Sequence, residues 1–301
     1  MNTQSNTAPE PVADSQRVVV AAMSSTRPMY WSIRRELWEN RSIYIAPLAV
    51  AAVALFGYLI ATMGYVMSTS NLAQRRAALE EPYSFATALI MGAAFLVSIF
   101  YSLDALHGER RDRSILFWKS LPVSDLTVVL SKASIPFVVL PLLSFAIVVA
   151  TVLIMVLLST LVMVGSAAPI ATLGTPMLFQ MGLMLFYHLI AMHVLWYAPF
   201  YGWLLLVSAW ARRAAFLWAF LPPVAIGGIE RIAFHTSYFF NLLRYRFMGG
   251  PEQAGSSDNF LDPMNFTPGQ FLASPGLWIG LLITVVFLAA AVRLRRNQGP
   301  I

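Results

Sequence analysis

Cysteine is missing altogether from this chain of 301 residues, which excludes disulfides, thiolate nucleophiles and cysteine metal sites. Charge is scarce too: 11% of residues are Asp, Glu, Lys or Arg, against roughly a quarter in a soluble domain. From Leu126 to Ile229 there is no Asp or Glu, so the middle of the chain lacks the intramembrane ionisable groups on which ion-coupled carriers usually depend. Lysine occurs twice, as Lys119 after Trp118 and Lys132 after Ser131. A phosphate-binding loop needs lysine directly after glycine, because the glycine turn presents backbone amides and the lysine reaches the outer phosphates. ATP hydrolysis by that route is therefore excluded on this chain.

Other catalytic patterns are equally thin. His188 and His193 are separated by about 140° around a helix, whereas ligand pairs favour the i, i+4 spacing. Glu80-Glu81 begins like the Glu-Glu-x-x-x-Arg motif of prenyl-protein peptidases, but residue 85 is Phe. Neither a Gly-x-Ser-x-Gly elbow nor a His-Glu-x-x-His helix occurs. An enzyme reading has little support, and no catalytic, cofactor-binding or metal-ligating residue is assigned.

What the chain has in quantity is apolar surface: 58% of residues are hydrophobic and mean hydropathy is +0.68. That composition predicts an integral membrane protein. Six runs are long enough to cross roughly 30 Å of hydrocarbon: Ile43 to Met67, Phe85 to Leu103, Ile135 to Val164, Met181 to Trp210, Ala214 to Phe234 and Leu277 to Val292. The third is too long for an untilted crossing, so it tilts or projects, and Pro136 and Pro141 could kink its beginning. With the N-terminus inside, fifteen Lys and Arg fall in the inner segments, and only Arg75, Arg76, Arg244 and Arg246 fall outside. This excess predicts cytoplasmic N- and C-termini. The net charge of +6 is explained by that topology, since the basic residues lie between apolar runs and not in an aromatic-interleaved stripe; no nucleic-acid partner is expected.

The first 27 residues, rich in Ser, Thr, Ala, Pro and Gln, read as a disordered cytoplasmic tail. Residues 28–298 read as one membrane domain. Its opening segment carries Tyr30, Ile33 and Leu37 along one stripe flanked by Trp31 and Trp38, the pattern of an amphipathic helix lying in the interface. The one large outer connection, 235–276, is rich in Tyr and Phe and is expected to dip back as short aromatic helices. Glu230 and Arg231, near the outer end of the fifth run, read either as solvated or paired interfacial charge or as an outer gate or substrate contact.

The densest charge lies in the inner loop, 104–132, within His107-Gly-Glu-Arg-Arg-Asp-Arg-Ser-Ile-Leu-Phe-Trp-Lys-Ser-Leu-Pro-Val-Ser-Asp125. A helix is predicted from about Glu109 to Ser120, ended by Pro122, which disfavours a helical Leu121. Ser124 is placed to cap the next helix, with Val123 and Val128 spaced as a staple. Ile115, Trp118 and Leu121 fall near one face and Arg110, Arg111, Asp112 and Arg113 on the preceding turn, a wedge with a charged root and an apolar tip.

Glu109-Arg110, Ser114-Ile115, Ser120-Leu121-Pro122-Val123-Ser124 and then Lys132 resemble the inner loop of the type-2 ABC exporter permeases, where the pattern runs roughly Glu-Arg-x-x-Gly-Thr-Leu, Leu-Pro-Val-Ser, Lys. Arg113 stands where that family usually has Gly. The resemblance implies an all-α membrane protein of the bacterial cytoplasmic membrane: six transmembrane helices, the interfacial helix, and a coupling helix between spans two and three. It further implies a second permease copy and two separate ATPase subunits carrying Mg-ATP. Glu109, Arg110, Arg111, Arg113, Ile115, Trp118, Leu121 and Pro122 would receive the ATPase. The scarcity of charge within the apolar runs, with abundant Met, Phe, Tyr and Trp, suits an amphiphilic cargo such as a drug, peptide antibiotic or lipid-like molecule. A secondary carrier or channel, and a membrane-anchored assembly or sensor protein, are the alternatives.

Overall fold

The structure, a computed structural model, describes residues 26–68, 72–120, 123–164, 182–183, 185–247 and 268–299. It is all-helical, with no strand among the described residues. The sequence-predicted tail lies outside them up to residue 25, and chain order begins with α1 (Thr26–Glu39) and α2 (Ser42–Ser68). Next come α3 (Leu72–Asp104), α4 (His107–Arg111), α5 (Ile115–Ser120) and α6 (Asp125–Ser134). A π-helical stretch, Ile135–Val139, joins α6 to α7 (Leu140–Val164). A second such stretch, Leu189–Trp196, precedes α8 (Ala198–Trp210). The remainder comprises α9 (Ala215–Phe234), α10 (Tyr238–Phe247), α11 (Pro268–Ala273) and α12 (Pro275–Asn297).

Five segments are long and apolar enough to cross a membrane: Ser42–Thr62, Pro82–Arg111, Asp125–Leu161, Ala215–Phe234 and Pro275–Asn297. The fourth expected run is not one straight helix. Leu185–Trp196 and Ala198–Trp210 meet at 43°, making a sixth span only if the bent pair is counted as one. The break has a local cause. Tyr197 leaves the helical region (φ −85°, ψ 1°) and Pro199, in the first turn of α8, brings no backbone N–H to continue the ladder. The prolines of the third run act differently. Pro136 sits at the start of the π-helical stretch and Pro141 just after it, and the span continues across both for 37 residues, about 55 Å. It is therefore much longer than the hydrocarbon it would cross, and its first turns carry Lys132.

Helices α2, α3 and α7 form one packed group, and α12 packs along α8. Ile43, Ala94, Tyr101, Ala133, Ile135, Leu140 and Leu205 draw α2, α3, α6, α7 and α8 together at the loop end. Further along, Ala51, Ile90, Met91, Ile147, Val148 and Leu189 continue the core. At the far end Ser159 Oγ meets the hydroxyls of Tyr58 and, at 2.9 Å, Tyr83, giving three spans a shared polar contact inside an apolar layer. Elsewhere large apolar side chains face outward, including Phe56, Leu157, Leu161 and Val285. That is stable only in a medium as apolar as they are.

In the stretch 235–276, residues 248–267 lie outside the described region. Helix α10 folds back on α9 because Gly227 leaves room for the Phe240 ring, which would lie 2.4 Å from a Cβ at that position. Left-handed residues flank α9 at Ala214 (φ 50°) and His235 (φ 52°), allowing the tight reversals. Replacing Gly227 by Leu should therefore lower the melting temperature in detergent through a packing clash of about 1–3 kcal/mol. Phe240→Ala in the same background should recover most of the loss; no recovery would mean that the ring is not what fills the space.

Candidate functional site

Five helices converge at the loop end on a cluster of buried charges. Lys132, on α6, is 4% exposed, and its Nζ lies 2.7 Å from Glu36 Oε1 of α1 and 3.2 Å from Glu109 Oε1 of α4. The other carboxylate oxygen of Glu109 pairs with Arg295 Nη1 of α12, itself 3% exposed. Arg295 Nε reaches Asp125 Oδ1, at the start of α6, across 3.2 Å as an ion pair whose angle falls short of a hydrogen bond. Tyr101, on α3, donates its hydroxyl to Glu36 Oε2 at 2.8 Å, and Asn40 Nδ2 donates to the same oxygen at 3.4 Å. Three carboxylates thus share two cations, with neutral donors supporting the extra negative charge.

The short helix α4 is held by a second set of bonds. Ser208 Oγ of α8 accepts from the backbone N–H of Leu106 and His107 at 3.0 and 2.9 Å, replacing the N-terminal cap that α4 lacks. Arg110 Nη1 donates to the carbonyls of Ala209 (2.7 Å) and Ala211 (3.2 Å), and its Nε donates to Gly299 (3.4 Å). Lys119, on α5, donates to the carbonyls of Gln298 (2.7 Å) and Arg296 (3.4 Å). The loop is clamped between the end of α8 and the end of the chain.

The expected single helix from Glu109 to Ser120 is two helices. The break at Asp112–Ser114 is made by Arg113, whose φ of 60° places it in the left-handed region that glycine occupies freely. Ser124 caps α6 as expected, its Oγ accepting from Thr127 N–H at 3.1 Å. The face pattern differs from the expected wedge. Arg110 is a buried charge and Glu109 a largely covered one, its side chain 10% exposed, while Arg111 and Arg113 are exposed. Arg111 pairs with Asp104 and Asp112 at 3.6 and 3.2 Å. Ile115 is wholly buried, and Trp118 is half-buried beneath the Arg35 guanidinium, 3.9 Å from its ring centre. The apolar side chains presented outward are Leu116 (56% exposed) and Phe117 (61%), because the face shared by Ile115 and Trp118 packs inward. Leu121 and Pro122 lie outside the described residues.

On α1, Ile33 and Leu37 pack on the core while Tyr30, Trp31 and Trp38 are exposed, with Arg34 stacked on both tryptophans at 5.3 and 4.9 Å. The expected apolar stripe is therefore split between two surroundings. Glu230 and Arg231 do not form a pair: Glu230 accepts from Thr236 Oγ1 and from the backbone N–H of Tyr238 and Phe239 at 2.7–2.9 Å, capping α10, whereas Arg231 is exposed. Sequence reasoning missed Glu36, Tyr101, Asp125, Ser208 and Arg295 as partners. The available signal was Lys132, a lone lysine among apolar residues with no local acid.

No protein-family model, curated protein or solved structure matches this chain. What stands is an all-helical protein with membrane-length apolar helices and a buried ionic junction beneath an exposed apolar tip.

Removing one member of such a junction strands the others. Lys132→Met should cost about 3–5 kcal/mol, seen as a lower melting temperature, because Glu36 and Glu109 stay buried without their cation. Adding Glu36→Gln should return part of the loss, and simple additivity would show the two side chains to be energetically independent. Arg113→Gly should raise stability by up to about 1 kcal/mol, the left-handed penalty less the extra chain entropy of glycine; a lower melting temperature would assign the Arg113 side chain a contact of its own.

Proposed function

We propose that this chain is the membrane-spanning permease subunit of an ATP-driven exporter of the type-2 ABC class, moving an amphiphilic substrate outward on energy from a separate ATPase subunit. The observation that carries the reading is the loop between α3 and α6. It presents Leu116 and Phe117 outward on α5, which Lys119 ties to the end of α12 and Trp118 ties to Arg35 of α1, while Glu109 and Arg110 tie the adjoining α4 to α6, α8 and α12. A push on the tip reaches every one of those helices through charge-assisted bonds, which are stiffer and stronger than neutral contacts.

Within this reading the loop is the coupling helix, on the cytoplasmic side of a bacterial inner membrane, with both termini on that side. The left-handed turn at Arg113 supports the match to the family pattern, since the family's usual residue there, Gly, suits that conformation. Helix α1 lies along the interface, its exposed Tyr30, Trp31 and Trp38 at headgroup level. Two permease copies and two ATPases make the working unit, and the Mg-ATP resides on the ATPase. The broken fourth span gives the push a joint within the bilayer.

Co-expression with the ATPase and reconstitution into vesicles should yield a co-purifying complex whose ATP hydrolysis depends on both subunits. Leu116→Glu with Phe117→Glu should reduce ATP-driven substrate movement at least tenfold while the spans remain inserted, since neither residue lies in a span. Glu109→Ala should also uncouple. Substrate movement that needs no ATPase would point to a secondary carrier or channel, and wild-type transport by the double variant would remove the coupling role.

A further inference from the structure

Helix α1 has two faces of different character. On one, Ile33 and Leu37 pack against the core, and Glu36 is buried with its oxygens on Lys132 at 2.7 Å and on the Tyr101 hydroxyl at 2.8 Å. A buried carboxylate bonded to a lysine of another helix sets the rotation of α1 about its own axis. The opposite face is thereby fixed as well. It carries Trp31, Arg34 and Trp38, spaced three and four residues apart and all exposed, with Tyr30 edge-on to Trp31 at 5.6 Å. Arg41 follows, also exposed, in the turn that leads into α2.

The position of this face and its charge together select an occupant. Helix α2 starts at Ser42, and its exposed Ile45 and Leu48 belong to a segment long and apolar enough to cross a membrane. Trp38 and Arg41 therefore lie within about one helical turn of the apolar span. Tryptophan is favoured at that level, where an apolar layer meets a polar one. The charge there is unbalanced. Glu39, the one exposed acid of α1, is paired with Arg35 at 2.6 Å, and Glu36 is spent in the ionic junction. Arg34 and Arg41 have no acid partner among the described residues. The Arg34 guanidinium lies over the Trp31 and Trp38 rings, 5.3 and 4.9 Å from their centres. Stacking engages the flat face of a guanidinium and leaves its N–H edge open, and that edge matches two oxygens of one phosphate.

We infer that the outward face of α1, with Trp31, Arg34, Trp38 and Arg41, is a docking surface for bilayer lipids of net negative charge. Arg34 holds the headgroup phosphate, the indoles flank it, and Arg41 adds a second cation at the edge of the span. A zwitterionic lipid also offers a phosphate, but its own cation competes with the arginines. A phosphatidylglycerol headgroup leaves its charge wholly to them. Each arginine near such a headgroup favours it by roughly fivefold. The inference rests on the interfacial placement of α1 proposed above and adds the class of lipid; it needs neither an ATPase nor transport.

The test reconstitutes the full chain into phosphatidylcholine vesicles in which a fixed fraction of the lipid carries brominated acyl chains, either as phosphatidylglycerol or as phosphatidylcholine. Bromine quenches only tryptophans that it approaches closely. The difference between wild type and Trp31→Phe/Trp38→Phe isolates the two indoles of α1 from the rest of the eight tryptophans. In the wild type these two should be quenched several-fold more effectively by brominated phosphatidylglycerol than by brominated phosphatidylcholine. Arg34→Gln with Arg41→Gln should abolish the preference while quenching by phosphatidylcholine stays as it was, and the melting temperature in detergent should change little because both side chains are exposed. Arg34→Lys, which keeps the charge but not the planar edge, should retain part of the preference. Arg244→Gln, which removes an exposed arginine of α10, should retain all of it. Equal quenching by the two lipids in the wild type would overturn the inference and leave α1 at the interface. An undiminished preference in the folded double arginine variant would also overturn it. Quenching of the two indoles by neither lipid would remove the docking surface and the interfacial placement together, leaving the face to a second copy of the chain.

Discussion

The contact between Lys132 and the two carboxylates Glu36 and Glu109 organises the loop end of this protein. A lysine that is 4% exposed is stable there only if its charge is met at once, and the acids that meet it come from α1 and α4, about 96 and 23 residues earlier in the chain. Meeting it fixes the position of both helices relative to α6. Arg295 then extends the same junction to α12 by sharing Glu109. The consequence is a joint without slack: none of these helices can move far from the others while the charges stay buried and paired.

That stiffness explains the form of the loop. Helix α4 has only five residues and α5 six, far too few to persist alone in water. They hold because Ser208 caps the start of α4 from outside, the Ala209 and Ala211 carbonyls accept the Arg110 guanidinium, and the Ile115 side chain of α5 is buried. The exposed Leu116 and Phe117 are then apolar groups on a rigid mount, a combination suited to transmitting a load. Arg113 belongs to the same economy: a residue held at φ 60° costs stability, and the surrounding bonds over-determine the turn that demands it.

At the other end of α12 the same chemical problem, a buried cation, has a different local answer. Arg246 meets a carbonyl and the face of a tryptophan, and glycine at position 280 lets it approach the helix axis. Glu230 supplies the neighbouring restraint by capping α10, which holds Arg246 in line with α12. Charge is therefore sparse in this chain but concentrated where helices must be registered, and the apolar faces between are left to the surrounding medium.

The sequence by itself determined the helical class, the approximate positions of five apolar segments and the cap at Ser124, because each depends on composition, periodicity or neighbouring residues alone. It marked the loop 104–132 as unusual from charge density. Tertiary structure decided the rest. Whether Glu109 faces water or Lys132 cannot be read from a local pattern, since its partners lie on α6 and α12, and helical periodicity says which residues share a face but not what that face meets. The break at Arg113 is invisible for a similar reason: arginine is a good helix former, and only the contacts on either side of it force the left-handed turn. Glu230 and Arg231 look like a pair because they are adjacent, yet adjacent helical residues point apart, and the acid turns to the amides that the fold brings to it.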